Sequence, residues 1–290
     1  MYKVDNAIIM AAGTSSRFAP LSFEKPKALF EVKGEVLIER QIKQLLNAGI
    51  NEIIIIVGYK KEEFYYLKDK YGIVIVENND YLTRNNNASI KVAEKYLKNS
   101  YICSADNYFG INPFKTEEEE SFYSVLYSKG YTNEWCISLD DDGNICKVTV
   151  GGKDSWYMLG HVFWSEKFSK KFIEILNNIY DIPETANKLW EDIYIENLVD
   201  LKMKIKKYSS DAIYEFDTLD ELRIFDTTYI NNTRSQIIKD LAQKLNVLES
   251  EIINVESYKS TNLAAAGFMF NVDAVKYKYD YETRCIEVVK

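Results

Sequence analysis

Residues 11–27, AAGTSSRFAPLSFEKPK, hold the side chains with the clearest capacity for chemistry. Gly13, Thr14, Ser15 and Ser16 are small enough for the backbone to approach a ligand closely, and successive N–H groups in such a turn form an anion-binding concavity. Arg17 offers a forked donor to phosphate oxygens, Lys27 a mobile point charge, and Pro26 stiffens the chain presenting that lysine. The dinucleotide-binding pattern GxGxxG is absent. On the residues alone two readings stand side by side: a cradle for phosphate, or a polar strand-to-helix connection.

The elements that must position this loop follow from hydrophobic periodicity. Residues 7–10 read as a buried strand. Ile38, Ile42, Leu45 and Leu46 then recur at helical spacing, with Gly49 as a natural stop. The β-branched run EIIIIVG is the kind buried on both faces of a parallel sheet. A helix over KKEEFYYLKDKYG, a strand over IVIVEN, a helix over NASIKVAEKYLKN and a strand over SYICSADN follow. This alternation predicts a doubly wound, Rossmann-like α/β sheet, in which ligands sit at the carboxyl ends of the strands. The loops after Met10 and Cys103 both leave such ends.

From about residue 122 the alternation loosens into FYSVLY, EWCISL and ICKVTV, with DDDGN as a hairpin turn. Helical patterns return over SEKFSKKFIEILNNIY and ETANKLWEDIYIENLVD. A last strand and helix over AIYEFDTLDELRIF are expected to close the sheet, Asp217 lying at an acidic helix start. Residues 1–230 then form one domain, and 231–290 a small α+β appendage with one helix and an alternating hairpin.

Composition narrows the function classes. The 290 residues, 47% hydrophobic, suffice for a large core. A formal charge of −8 speaks against a general nucleic-acid binder or a ligand of anionic membranes, so any polyanion must meet a local basic site. No export signal or membrane span is visible. Cys103, Cys136, Cys146 and Cys285 are scattered without a CxxC pair, and His161 is the sole histidine, which speaks against a zinc site and for reduced thiols in a cytoplasm.

The segment AIIMAAGTSSRFAPLSFEKPKALFEVKGEVLIERQI resembles the opening of the sugar-phosphate and alcohol-phosphate nucleotidyltransferases: Ala11, Ala12 and Gly13, then Arg17, then Pro26 and Lys27. Within that group, NEIIIIVGY, ICSADNYF, YTNEWCIS, DSWYMLGHVFW, LWEDIY and AIYEFDTLDELRIFD are similar to the bacterial CTP:phosphocholine cytidylyltransferases that supply choline for cell-surface decoration. The likeness covers roughly residues 5–230 and implies a mixed sheet of the nucleotidyltransferase type. Relatives often carry Gly where this chain has Ser15.

The resemblance implies that a phosphomonoester oxygen joins the α-phosphorus of CTP and expels pyrophosphate, a problem of charge repulsion and orientation. It implies that residues 11–15 hold the nucleotide, that Arg17 faces the leaving pyrophosphate, and that Lys27 bridges the two phosphates being joined. Asp106 and Asp217 match the family's aspartates for Mg²⁺, and Asn85, Asn86 and Ser89 fall where relatives read the base. Trp135, Trp190 and Glu191 match the choline pocket; a quaternary ammonium has no hydrogen to donate and is held by aromatic faces and a carboxylate. Phosphoethanolamine or 2-aminoethylphosphonate would favour more carboxylate and fewer rings. A catalytically silent CTP-binding homologue is the alternative of another class, disfavoured by the joint presence of Arg17, Lys27, Asp106 and Asp217. His161 reads as structural.

The tail resembles the beginning of a choline kinase small lobe, including Thr261, Asn262, Phe268 and Phe270, but lacks the stretch a kinase needs for catalysis. It is expected either to pack against the transferase or to mediate homodimer contacts.

Overall fold

The computed structural model describes residues 1–259 and 265–289; Thr261 and Asn262 lie outside the described residues. The chain forms two compact units, Met1–Gly13 with Ile38–Glu215, and Thr14–Leu37 with Phe216–Lys290.

In the first unit the buried run β1 (Asn6–Ala11) is followed by helix α1 (Leu37–Asn47), β2 (Ile53–Val57), α2 (Tyr66–Tyr71), β3 (Val74–Glu77), α3 (Asn87–Val92) and β4 (Ser100–Ser104). Two long strands, β5 (Phe122–Leu139) and β6 (Ile145–Trp164), lead to α4 (Glu166–Ile179), α5 (Trp190–Glu196) and β7 (Lys204–Lys207). They build one seven-stranded mixed sheet in the order β7-β5-β6-β4-β1-β2-β3. β1 pairs in parallel with β2 and β4, Ile9 facing Ile55 on one side and Cys103 on the other. β6 returns antiparallel to β4, and β5 antiparallel to β6. The chain winds one way from β1 to β3 and then places β4 on β1's other side, so the carboxyl ends of β1 and β4 flank a topological switch point.

The core of this unit sits between the sheet and the helices after β6. Phe168, Phe172 and Leu176 recur every four residues along α4 and are buried with Ile54, Ile102, Trp164 and Trp190. Each such side chain contributes about 1.5–3 kcal/mol by leaving water. Ser165 starts α4 by accepting the Phe168 N–H. His161 is fully buried among the rings of Tyr101, Phe109, Phe114, Phe122 and Tyr208. Burial pushes its pKa down to about 3, so it is a neutral packing residue. The four cysteines are free, Cys103 and Cys136 buried, Cys146 and Cys285 exposed.

The sheet departs from expectation in two places. FYSVLY and EWCISL are one continuous strand of 18 residues, paired through several register shifts with a partner of 20. Their polar middle residues break the apolar alternation although the backbone ladder continues. The expected closing strand does not join the main sheet: Ile213–Tyr214 pairs with Tyr108–Phe109 in a separate two-stranded sheet, and β7 forms the edge instead. Three of the expected helices are shorter, each a short α-turn flanked by 3-10 geometry.

The second unit contains a single helical turn, Leu21–Glu24, then α6 (Leu219–Phe225) and α7 (Gln236–Leu245). An antiparallel sheet of β8 (Ile253–Lys259), β9 (Ala265–Val272), β10 (Val275–Asp280) and β11 (Ile286–Val288) completes it, in chain order. Phe268, Phe270 and Tyr279 are buried on one face of this sheet.

Candidate active site

At the end of β1, Ala11 and Ala12 are buried and Gly13 is exposed. The Ala12 carbonyl accepts the Tyr59 N–H at 3.0 Å. A Cβ at Gly58 would stand 2.9 Å from that carbonyl and from Tyr81, so the loop after β2 can lie this close only as glycine. A Cβ at Gly13 would meet nothing within 4 Å; the space over this backbone is open. The loop after β4 is fastened to the same place. The Ala105 N–H donates to Met10 at 3.2 Å, and the buried Gln41 amide donates to the Ser104 and Asn107 carbonyls at 2.9 Å each. Asp106 lies between those two carbonyls and is partly exposed. Gln41 thus fixes the aspartate's loop from α1, a contact that a single Gln in an amphipathic helix does not advertise.

Asn85, Asn86 and Asn87 turn out to organise the segment 185–191. The Asn85 amide donates to the Asn187 carbonyl at 3.2 Å, and Asn87 donates to Thr185 and Lys188. Asn86 uses both ends: its carbonyl takes the Trp190 N–H at 2.7 Å, and its amide donates to the Glu191 carboxylate at 3.0 Å. Ser89 accepts from the buried Asn78 amide at 3.2 Å. Trp190 is only 2% exposed. Tyr123 stacks on it at 5.8 Å between centroids, 14° from parallel, and Trp164 meets it edge-on at 5.2 Å. Its indole N–H finds no hydrogen-bond partner among the described residues. Trp135 is partly buried against the same cluster.

Glu191 is held between Asn86 and the Tyr123 hydroxyl. Burial raises its pKa to about 7, with the neighbouring Asp192 charge adding to the rise and the two hydrogen bonds opposing it. Glu215 adds its negative field at Tyr123 and at Tyr157, where Glu134 also acts. The first unit therefore gathers stacked aromatic rings and carboxylates in one place, a receptor type suited to a cationic group. Tyr123, Tyr157 and Glu215 were not legible as site residues: each is an ordinary type in a strand or at a strand end.

In the second unit Ser15 adopts the left-handed conformation, φ 47° and ψ 42°, a region that glycine enters without steric cost. Its carbonyl accepts the Phe18 N–H at 2.9 Å, closing a tight turn that presents Thr14, Ser16 and Arg17. Arg17 Nη1 pairs with Asp217 Oδ2 at 2.6 Å. Both are well exposed, so the pair adds little stability and can be drawn apart by a phosphate. Asp217 precedes a capping box in which Thr218 and Glu221 satisfy each other's backbone N–H, and Glu221 also takes the Asp217 N–H at 2.7 Å. Lys27 is 4% exposed, its Nζ 5.5 Å above the Phe18 ring.

Among the described residues no group of three or more His, Cys, Asp or Glu side chains is arranged to hold a metal. Asp106 in the first unit and Asp217 in the second, the latter paired with Arg17, each carry a hard carboxylate oxygen of the kind Mg²⁺ takes. No helix among the described residues is long and apolar enough to cross a membrane.

The MobA-like NTP transferase domain family matches residues 7–109. The chain is 36% identical over 217 residues to a choline-phosphate cytidylyltransferase of Streptococcus pneumoniae, covering 75% of this chain and 95% of the relative. It is 35% identical over 234 residues to a 2-aminoethylphosphonate cytidylyltransferase of Lancefieldella rimae, covering 79% and 95%. A solved structure of the CTP:phosphocholine cytidylyltransferase of S. pneumoniae superposes with a TM-score of 0.74, at 36% identity, over 78% of this chain and 99% of that one. The chain therefore belongs to the cytidylyltransferase family of nucleotidyltransferases.

Proposed function

We propose that this protein transfers CMP from CTP to phosphocholine, giving CDP-choline and pyrophosphate, in the cytoplasm and with Mg²⁺. The observation that carries the choice of substrate is the Glu191 carboxylate, fixed by Asn86 and Tyr123 beside the stacked Tyr123–Trp190 pair. An anionic group backed by rings attracts a quaternary ammonium without needing a hydrogen bond from it.

In the reaction an oxygen of the phosphomonoester attacks the α-phosphorus, and the bond to the pyrophosphate oxygen breaks. No nucleophilic side chain is required, since the phosphate brings its own lone pair. The open backbone at Gly13 and the left-handed turn at Ser15 offer N–H groups to the triphosphate. Arg17 releases Asp217 and neutralises the departing pyrophosphate, while Lys27 reduces repulsion between the two phosphates being joined. Asp106 and Asp217 are the residues assigned to Mg²⁺, which when bound supplies further neutralisation of the triphosphate.

The added carboxylate field of Glu215 favours a second reading, a primary ammonium such as that of 2-aminoethylphosphonate. The test is pyrophosphate release from each of four NTPs with phosphocholine, phosphoethanolamine, 2-aminoethylphosphonate or glucose 1-phosphate. The highest kcat/KM is expected for CTP with phosphocholine. A preference for 2-aminoethylphosphonate selects the second reading, and no turnover with any alcohol phosphate or phosphonate rejects both.

A further inference from the structure

We propose that the described residues of the appendage, 231–259 and 265–289, are a positioning scaffold for the phosphate-binding segment, with Glu24 as the residue through which they act. This rests on the assignment of Arg17, Lys27 and Asp217 to the phosphates and metal.

Glu24 lies between Arg17 and Lys27 in the chain. Its Oε1 accepts the N–H groups of Gln236 at 2.8 Å and Ile237 at 3.1 Å, the first two of α7, while Ser235 takes the third, from Ile238. A helix start leaves these donors without intrahelical partners and carries a partial positive charge, so a carboxylate satisfies both needs at once. The cap is supplied from 212 residues away, so α7 and the turn Leu21–Glu24 are ordered together. Next to it, Phe23 stacks on Tyr281 at 3.9 Å, 8° from parallel, joining the same turn to the end of the appended sheet. Beyond Lys27, the Glu31 carbonyl accepts from the Tyr229 hydroxyl at 2.8 Å and from the Arg234 guanidinium.

The Asp217 side is gripped as well. Arg223, buried in α6, donates to the carbonyls of Ile252 at 2.7 Å and Glu249 at 2.6 Å, and Asp220 accepts the Asn254 N–H at 2.9 Å. Segment 14–37, which carries the cations, and helix α6, whose N-terminus follows the metal-assigned Asp217 by two residues, are thus both hydrogen-bonded to the appended residues. Glu24 is a positioning residue. It reaches phosphate only through the backbone that carries Arg17 and Lys27.

The test uses the full chain with Glu24→Ala, Glu24→Gln and Tyr281→Ala, read by hydrogen exchange over residues 14–27 and by separate KM values for CTP and phosphocholine. Loss of a cap of ordinary strength is expected to speed exchange in that segment and raise the CTP KM by about fivefold or more in Glu24→Ala. The phosphocholine KM rises less than the CTP KM, because Lys27 alone of this segment is assigned to its phosphate while Arg17 and the Ser15 turn are assigned to the nucleotide, a split that general destabilisation would not produce. Glu24→Gln, which keeps an acceptor oxygen, lies nearer the wild type, and Tyr281→Ala shifts exchange in the same direction as Glu24→Ala. Unchanged exchange over 14–27 in folded Glu24→Ala and Tyr281→Ala overturns the proposal, as does an equal rise in both KM values. If Glu24→Ala does not fold, Glu24→Gln and Tyr281→Ala decide by the same exchange measurement. A wild type without cytidylyl transfer would reject the proposed reaction, while the exchange experiment still decides the scaffold.

Discussion

Binding of the cationic substrate is expected to depend on pH through Glu191, whose pKa stands at about 7 in the empty protein because burial disfavours its charge. A positive headgroup about 5 Å from the carboxylate, in an effective dielectric of about 20, attracts it by about 3 kcal/mol. That attraction lowers the pKa of the bound state by about two units, so the bound carboxylate stays ionised near neutrality. The sign follows: substrate prefers the ionised form, and affinity rises with pH until the free carboxylate is fully ionised. With about a tenth of the free protein ionised at pH 6 and about nine-tenths at pH 8, the phosphocholine KM should fall about tenfold across that interval. Folding shows the opposite trend. The stability that Glu191 lends when protonated is complete below the unfolded value of 4.5 and is lost as pH rises through about 7. The assay is initial-rate kinetics in phosphocholine at saturating CTP, for wild type and Glu191→Gln, because the ratio of the two profiles cancels titration of the substrate's own phosphate. A ratio that stays flat between about pH 6 and pH 8 refutes the placement of Glu191 against the cation.

Asn86→Ala strips the Trp190 N–H and the Glu191 carboxylate of their shared partner; thermal or denaturant melting should show a loss of about 2–4 kcal/mol, and the phosphocholine KM should rise. Ser15→Gly relieves a left-handed residue and should raise stability by about 1 kcal/mol or less, read from the denaturation midpoint; a lower midpoint would contradict the assigned strain. Asp106→Asn should abolish Mg²⁺-supported turnover while leaving the melting temperature near that of the wild type, and a Mg²⁺ titration of activity checks it.

How much of this was legible in the sequence depended on whether a residue's partner is local. The runs of β1 and β2 announced themselves because a strand buried on both faces must be apolar throughout. The Phe122–Leu139 strand read as two, since residues 128–133 carry no face that must avoid water. The signature residues from Ala11 to Lys27 were recognisable as a set. The asparagines at 85–87 were noticed for their ability to donate and accept, yet the structure commits those groups to backbone and side chains about a hundred residues away. Glu24 as the cap of α7 left no trace in the sequence, because a carboxylate two residues before a proline is ordinary and its partner is distant in the chain.

The most direct test of the proposed reaction is ³¹P NMR of the purified chain with CTP, phosphocholine and Mg²⁺. Expected are the paired diphosphate resonances of CDP-choline growing in step with pyrophosphate, and neither without Mg²⁺. CTP and phosphocholine persisting unchanged beside active protein controls, or pyrophosphate appearing without CDP-choline, would contradict it.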